Sequence, residues 1–187
     1  MLVIGNGESR KGIHLGNNHD LKIGCNAVHR DMHVDHLVCV DRRMVQEALS
    51  ANIFSRIYTR KDWANDYKDV KEVPLLPYTG TERWDEPFQW GSGPYAVLLA
   101  TNLSNDIKMI GFDLNSKSNN VNNIYKDTDG YDASTKRAVD PRYWIHQIGM
   151  IFKCYPKCKF TIYQLDDWQI PQTWKLANVS VDFISNL

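Results

Sequence analysis

A chain of 187 residues with 43% hydrophobic and 24% charged side chains has the composition of one soluble globular domain, not of a disordered or fibrous chain. Lys plus Arg balance Asp plus Glu at 22 each, so no global field draws it to nucleic acid or to an anionic membrane. No apolar run approaches the ~20 residues of a membrane span, and the opening MLVIGNGESR has no basic leader, which points to the cytoplasm.

The hydrophobic period alternates between that of a strand and that of a helix. LVIG predicts a first strand, broken by Gly5, Asn6, Gly7, Glu8, Ser9 and Arg10. This looks like a phosphate-cradling turn, except that Arg10 stands where a dinucleotide motif puts its third glycine. LKIGC at 21–25 and HLVCV at 36–40 predict strands two and three, with Cys25 and Cys39 as small core residues. RRMVQEAL at 42–49 gathers Met44, Val45, Ala48 and Leu49 on one helical face, and IFSRIYT at 53–59 predicts strand four. Residues 60–91 are punctuated by Pro and Gly, with VPLLP as their extended piece. A long helix follows, with Ser92 as its cap and Pro94 in its first turn, where a missing N–H costs nothing. IKMIGF at 107–112 predicts a buried strand, and 115–135, with Asn at 115, 119, 120, 122 and 123, a long loop suited to act as a lid. PRYWIHQIGMIFKCY at 141–155 predicts a helix begun by proline, KFTIYQL closes as a strand, and the tail after Asp166 is mixed. Cys154 and Cys158 lack the spacing of a zinc knuckle and have no partner pair. Strands alternating with helices predict a single Rossmann-like α/β domain over 1–187, its mainly parallel sheet flanked by helices.

Ligands of such sheets bind beyond the carboxyl ends of the strands. Gly5, Asn6, Gly7 and Ser9 stand after the first strand, Asn26 after the second, and Asp41 with Arg42 and Arg43 after the third. Ser92 and Gly93 open the long helix, and Asp113 follows the IKMI strand. Each has a structural explanation alone: turn glycines, a helix cap at Ser92, another at Asp41. Together they predict a ligand cleft. A dinucleotide is disfavoured by Arg10 and by Asn26, which replaces the acid that grips a ribose diol; no Walker G-K-[ST] is present. A carboxamide matches a base edge or a ribose hydroxyl without adding charge, and a helix start can take a phosphate. A single nucleotide or a nucleotide-activated donor fits, with Arg42 or Arg43 balancing its phosphate. His29, His33 and His36 lie close together, but His36 opens a strand, so no metal site is assigned. His146 reads as a core-edge residue or as a general base. Tyr125 and Tyr131 read as hydrogen-bond partners of a leaving phosphate or as loop anchors.

VIGNGES, IGCNAVHRD and SGPYAVLLATNLSNDIKMIGFDL together resemble the bacterial CMP-sialic-acid sialyltransferases, and the VCVD and IGFD ends resemble archaeal-type hydroxymethylpterin diphosphokinases. The likeness covers residues 2–41 and 91–113. It implies that Asn6, Asn26, Ser92 and Gly93 bind CMP and that Asp113 holds the ribose or sugar region. It also implies a tyrosine behind the departing phosphate, for which Tyr125 is the nearest substitute since Asn115 holds the immediate position, and a general base near Asp140 or His146. Compact chains of this sort also resemble ones encoded by tailed bacteriophages, which would act in the host cytoplasm.

Three functions follow as expectations. The first is transfer of a sugar from a CMP-type donor to an acceptor hydroxyl, with His146 or Asp140 taking the proton and no cofactor required. The second is phosphoryl transfer from ATP, with Mg²⁺ on Asp41 and Asp113. The third is a nucleotide-binding module without chemistry. A homo-oligomer is compatible with each, and Asn26→Ala is expected to weaken nucleotide binding while barely changing the fold.

Overall fold

The computed structural model describes residues 1–15, 20–116, 118–165 and 167–187; Lys117 of the expected lid loop and Asp166 at the head of the tail lie outside the described residues. β1 (Leu2–Ile4) is wholly buried, with Leu2 and Ile4 packed into one core and Val3 into another. That split is what a period of two does to a strand covered on both faces.

β1 lies in the interior of one sheet. On one side it pairs with β2 (Lys22–Cys25), followed outward by β3 (His36–Val38), β4 (Arg56–Thr59) and β5 (Lys71–Glu72). On the other it pairs with β6 (Asp106–Ile110), then β7 (Lys159–Gln164) and β8 (Val179–Phe183). The eight strands run in the order β5-β4-β3-β2-β1-β6-β7-β8, and every pair is parallel. This is a Rossmann-like α/β fold. The chain steps outward from β1 to β5 and returns to the far side of β1, so the order reverses between β1 and β6.

The return is made by α3 (Ser92–Thr101). Tyr95 through Ala100 are all buried in it, as expected of a helix that is hydrophobic all round and lies under further structure. Above α3 packs α4 (Arg142–Cys154), with Ile148, Ile151 and Phe152 in the same core as Trp174. Each fully buried Ile or Phe there contributes about 1.5–3 kcal/mol. The opposite face is covered by α1 (Arg42–Ser50), by a 3-10 turn at Asn26–Arg30 and by Tyr125. Asp41 accepts the Arg43 N–H at 2.9 Å and caps α1.

Three details differ from the sequence expectations. The strand in the 60–91 region is Lys71–Glu72, just before VPLLP, and a one-turn α2 (Lys61–Ala64) precedes it. The tail contains β8. Gly91, not Ser92, holds the cap position of α3, and Ser92 is its first helical residue. All four cysteines are free, with Cys154 partly exposed and the others buried. No helix among the described residues is long and apolar enough to cross a membrane.

Candidate functional site

The chain leaving β1 keeps pairing with the chain leaving β6: Gly5 N–H donates to the Ile110 carbonyl at 2.8 Å, and Gly7 N–H to the Gly111 carbonyl at 2.9 Å. The two segments come so close that a Cβ on Gly7 would stand 2.4 Å from the Asp113 carboxyl carbon. The next turn, Glu8–Arg10, is clasped by Asp113. Ser9 N–H donates to Asp113 Oδ2 at 2.8 Å, Ser9 Oγ–H donates to Oδ1, and Gln164 Nε2 reaches Oδ1 at 3.5 Å. Ser9 and Asp113 therefore shape the turn that frames the site.

Arg10 explains the missing third glycine. Its side chain is buried and turns inward. Nε donates to the Gly5 carbonyl at 2.6 Å, Nη1 to Asp31 at 2.9 Å and Nη2 to the Tyr125 hydroxyl at 2.9 Å. Tyr125 in turn donates to Asp31. A glycine motif lets a ligand approach the backbone; here a guanidinium braces that backbone from beneath.

Asn26 has φ +49° at the end of β2, a left-handed conformation that Asn tolerates better than most residues. Ser92 Oγ accepts the Val40 N–H at 3.0 Å and so donates its own proton to Asn26 Oδ1 at 2.7 Å. That relay ties the ends of β2 and β3 to the start of α3. It also fixes the Asn26 amide with its NH₂ group as a donor without a partner among the described residues. Asn6 Nδ2 donates to the Tyr131 hydroxyl at 3.1 Å, while Asn6 Oδ1 is buried with no partner. Turning the amide over would only exchange which atom is orphaned, so this carboxamide holds one unused hydrogen-bonding group either way.

These groups surround a cavity of about 280 Å³ between the ends of β1, β2 and β6 and the start of α3. Gly5, Asn6, Gly7, Asn26, Ser92, Gly93 and Asp113 line it, joined by Tyr131, Tyr143 and Trp144. No Lys, Arg or His among the described residues lines it. With Asn6 Nδ2 as the donor, the Tyr131 hydroxyl accepts from Asn6 and, at 3.4 Å, from the Ala27 N–H, which leaves its own proton to donate. Burial pushes the Tyr131 and Tyr143 phenols well above their ordinary value, so both are donors and not bases at neutral pH. Burial likewise pushes the Cys25 thiol, also on the wall, up to about 12, against the lowering field of Arg10.

The other expected residues lie elsewhere. Asp41 caps α1 and does not line the cavity. Arg42 is paired with Asp66 on the outside of α1. Tyr125 lies beneath the loop as the partner of Arg10 and Asp31, and Tyr131 is the loop tyrosine that reaches the cavity. Asp140 is exposed and paired with Arg142. His146 faces away, its Nε2 2.6 Å from the buried Asp85, which also accepts from the Tyr78 hydroxyl at 2.7 Å and from the Glu82 N–H at 3.0 Å. His29 lies on the Asn26 carbonyl and 3.3 Å from Glu47, and His36 is buried in β3.

Tyr143 and Trp144 were not anticipated as wall residues. The legible signal was their position in the first turn of a helix begun by Pro141, which aims two large rings at the mouth of the sheet. The 125–131 part of the expected lid loop is held down: Arg30 donates to Thr128 and to the Asp129 carbonyl, and its guanidinium lies over the Tyr125 and Tyr131 rings. Compared with family models, with curated proteins and with solved structures, the chain matches none.

Proposed function

We propose that the chain binds a single nucleotide unit in this cavity and is a glycosyltransferase-type protein whose donor is a nucleotide-activated sugar of the CMP-sugar kind. The observation that carries this is the pairing of two carboxamides, Asn6 and Asn26, across a cavity at the β1/β6 switch point, where ligands of such sheets bind. The volume is at the lower end of the ~300–1,000 Å³ common for small-molecule pockets, which suits a mononucleotide better than a dinucleotide. With no cationic side chain among the described residues of the wall, a phosphate would rest on the free N–H groups at the start of the ten-residue α3 and on the Tyr131 hydroxyl. One phosphate is served by that set better than three. Phosphoryl transfer from ATP is less well supported, because Asp41 and Asp113 are engaged in holding backbone turns.

A second reading, a binding module without chemistry, is favoured by one specific observation: none of His146, Asp140 and Tyr125 lines the cavity. A melting-temperature scan against CMP, CDP, UDP, GDP, ATP and a CMP-sugar, with and without Mg²⁺, tests the binding. A ligand at 100 times its Kd adds about 2.7 kcal/mol to stability. No shift with any nucleotide overturns both readings; a shift without release of CMP from the CMP-sugar, with any acceptor offered, leaves the second.

A further inference from the structure

No side chain caps the start of α3. Gly91 holds the cap position at φ −77° and ψ 164°, an extended conformation that any residue adopts. Ser, Thr, Asp or Asn usually stands in such a place, because its oxygen accepts a first-turn N–H. Ser92 Oγ does not serve, being committed to the Val40 N–H and to Asn26. Pro94 has no N–H to satisfy, and Tyr95 N–H donates to the Gly91 carbonyl at 3.2 Å. The N–H groups of Ser92 and Gly93 are left with no acceptor among the described residues.

The backbone therefore does not require glycine at 91; space does. A Cβ there would stand 3.0 Å from Trp144 Nε1 and 3.5 Å from its Cδ1, so the N–H edge of the indole borders the space a capping side chain would fill. An indole nitrogen can only donate. Trp168 and Trp174 spend theirs on the Asp113 and Ile145 carbonyls, at 2.9 and 2.8 Å, and those of Trp84 and Trp90 are sealed in the interior. Trp144 stands on the cavity wall with Tyr143, their ring centroids 4.7 Å apart. Its Nε1 has no acceptor among the described residues.

We propose that Trp144 is a phosphate-binding residue: its indole N–H and the Gly93 N–H share one phosphate oxygen, which completes the cap of α3. This rests on the nucleotide reading of the cavity and names the part of the ligand that α4 holds. A hydrogen bond from a neutral donor to an anionic oxygen is stronger than one between neutral groups. Glycine at 91 keeps the approach open, since a side chain there would press on the indole and fill the space of the oxygen. A bare nucleoside makes neither bond, so the cavity selects the phosphorylated form.

Proton–nitrogen correlation NMR on the full chain, titrated with CMP, UMP, GMP and AMP and with their nucleosides, tests this. The Trp144 indole signal is the one absent from Trp144→Phe. It should move downfield with the monophosphate that binds best and stay in place with the matching nucleoside. Trp144→Phe keeps a ring and should lose about tenfold or more in affinity for that monophosphate, as a hydrogen bond to a charged group implies. Gly91→Ala keeps the indole and should show the same loss by displacing it, an independent check should Trp144→Phe fold poorly. An indole proton unmoved by saturating monophosphate, or wild-type affinity in both variants, overturns the assignment and leaves the nucleotide reading standing. If no monophosphate binds the wild type, the nucleotide reading fails and the assignment falls with it.

Discussion

Gly5 and Gly111 pack backbone against backbone at the ends of β1 and β6. A Cβ on Gly5 would stand 2.4 Å from the Gly111 carbonyl oxygen, and one on Gly111 would stand 2.7 Å from the Gly5 carbonyl oxygen at φ +70°. Neither obstacle is a side chain that can rotate away. Gly5→Ala is therefore expected to destabilise the fold by about 2–3 kcal/mol, a drop of ~5–10 °C for a domain of this size. Gly12, also at positive φ but with nothing within 4 Å of a Cβ, is the control: Gly12→Ala should cost only about 1 kcal/mol of backbone strain. Equal melting temperatures for the two variants would remove the close approach as the cause.

Arg10→Met should destabilise by about 2–4 kcal/mol. That is somewhat less than the ~3–5 expected for breaking a fully buried pair, because the Asp31 side chain is 38% exposed. Lysine, a point donor in place of a planar fork, should recover less than half of the loss. Urea unfolding measures both.

The left-handed φ of Asn26 changes how its role is best tested. Alanine there adds strain, so Asn26→Ala is expected to lose about 1 kcal/mol of stability as well as affinity. Asn26→Asp is cleaner: it keeps an oxygen for the Ser92 hydroxyl and replaces the donor facing the cavity with an acceptor. Nucleotide affinity should fall at least ~10-fold, about 1.4 kcal/mol, with the melting temperature of the free protein nearly unchanged. Titration calorimetry with the nucleotide found in the melting scan gives the answer.

Tyr131→Phe removes the hydroxyl that accepts from Asn6 and Ala27. It should cost about 1–2 kcal/mol of stability, since a buried donor is left unpaired. If this hydroxyl also serves a phosphate, binding of the nucleoside monophosphate should weaken more than binding of the bare nucleoside. Identical losses for both would place Tyr131 in the framework alone.

Burial pushes the Asp85 carboxyl upward, but hydrogen bonds from Tyr78 and His146 outweigh it and hold the group below its ordinary value. A depressed folded pKa means that Asp85 contributes stability fully above its unfolded value of about 3.9 and loses it as pH falls through the folded value. Wild type should therefore melt above Asp85→Asn at neutral pH, with the gap closing below about pH 4. A gap that stays constant down to acid pH would show that the charge on Asp85 is not what matters.

Much of this architecture was legible. Strands β1, β2, β3, β6 and β7 are buried on both faces, and such strands announce themselves as short apolar runs. β5 has two exposed residues, Lys71 and Glu72, and carries no pattern to find. β8 does alternate, V-S-V-D-F, but no long helix separates it from β7, so the rhythm that identified the other parallel strands was missing. At the site, glycines and carboxamides were legible because the backbone itself demands them where strands end. Tyr125 and Tyr131 were legible as loop anchors, one of their two readings. The role of Arg10 was not: a guanidinium at a loop position looks solvent-facing until the fold brings Asp31 and a tyrosine from more than a hundred residues away beneath it.

The clasp of Ser9 by Asp113 also has a meaning for synthesis. The acceptors for Gly5, Gly7 and Ser9 all lie in the segment 106–113, which leaves the ribosome after β1 to β5 have already been made. Until it emerges, one edge of β1 carries unpaired amides in the middle of the future sheet, an exposure that invites strand addition by other chains. The cavity is thus completed late in translation. A nascent chain halted before residue 106 should engage chaperones far more strongly than one halted after residue 115.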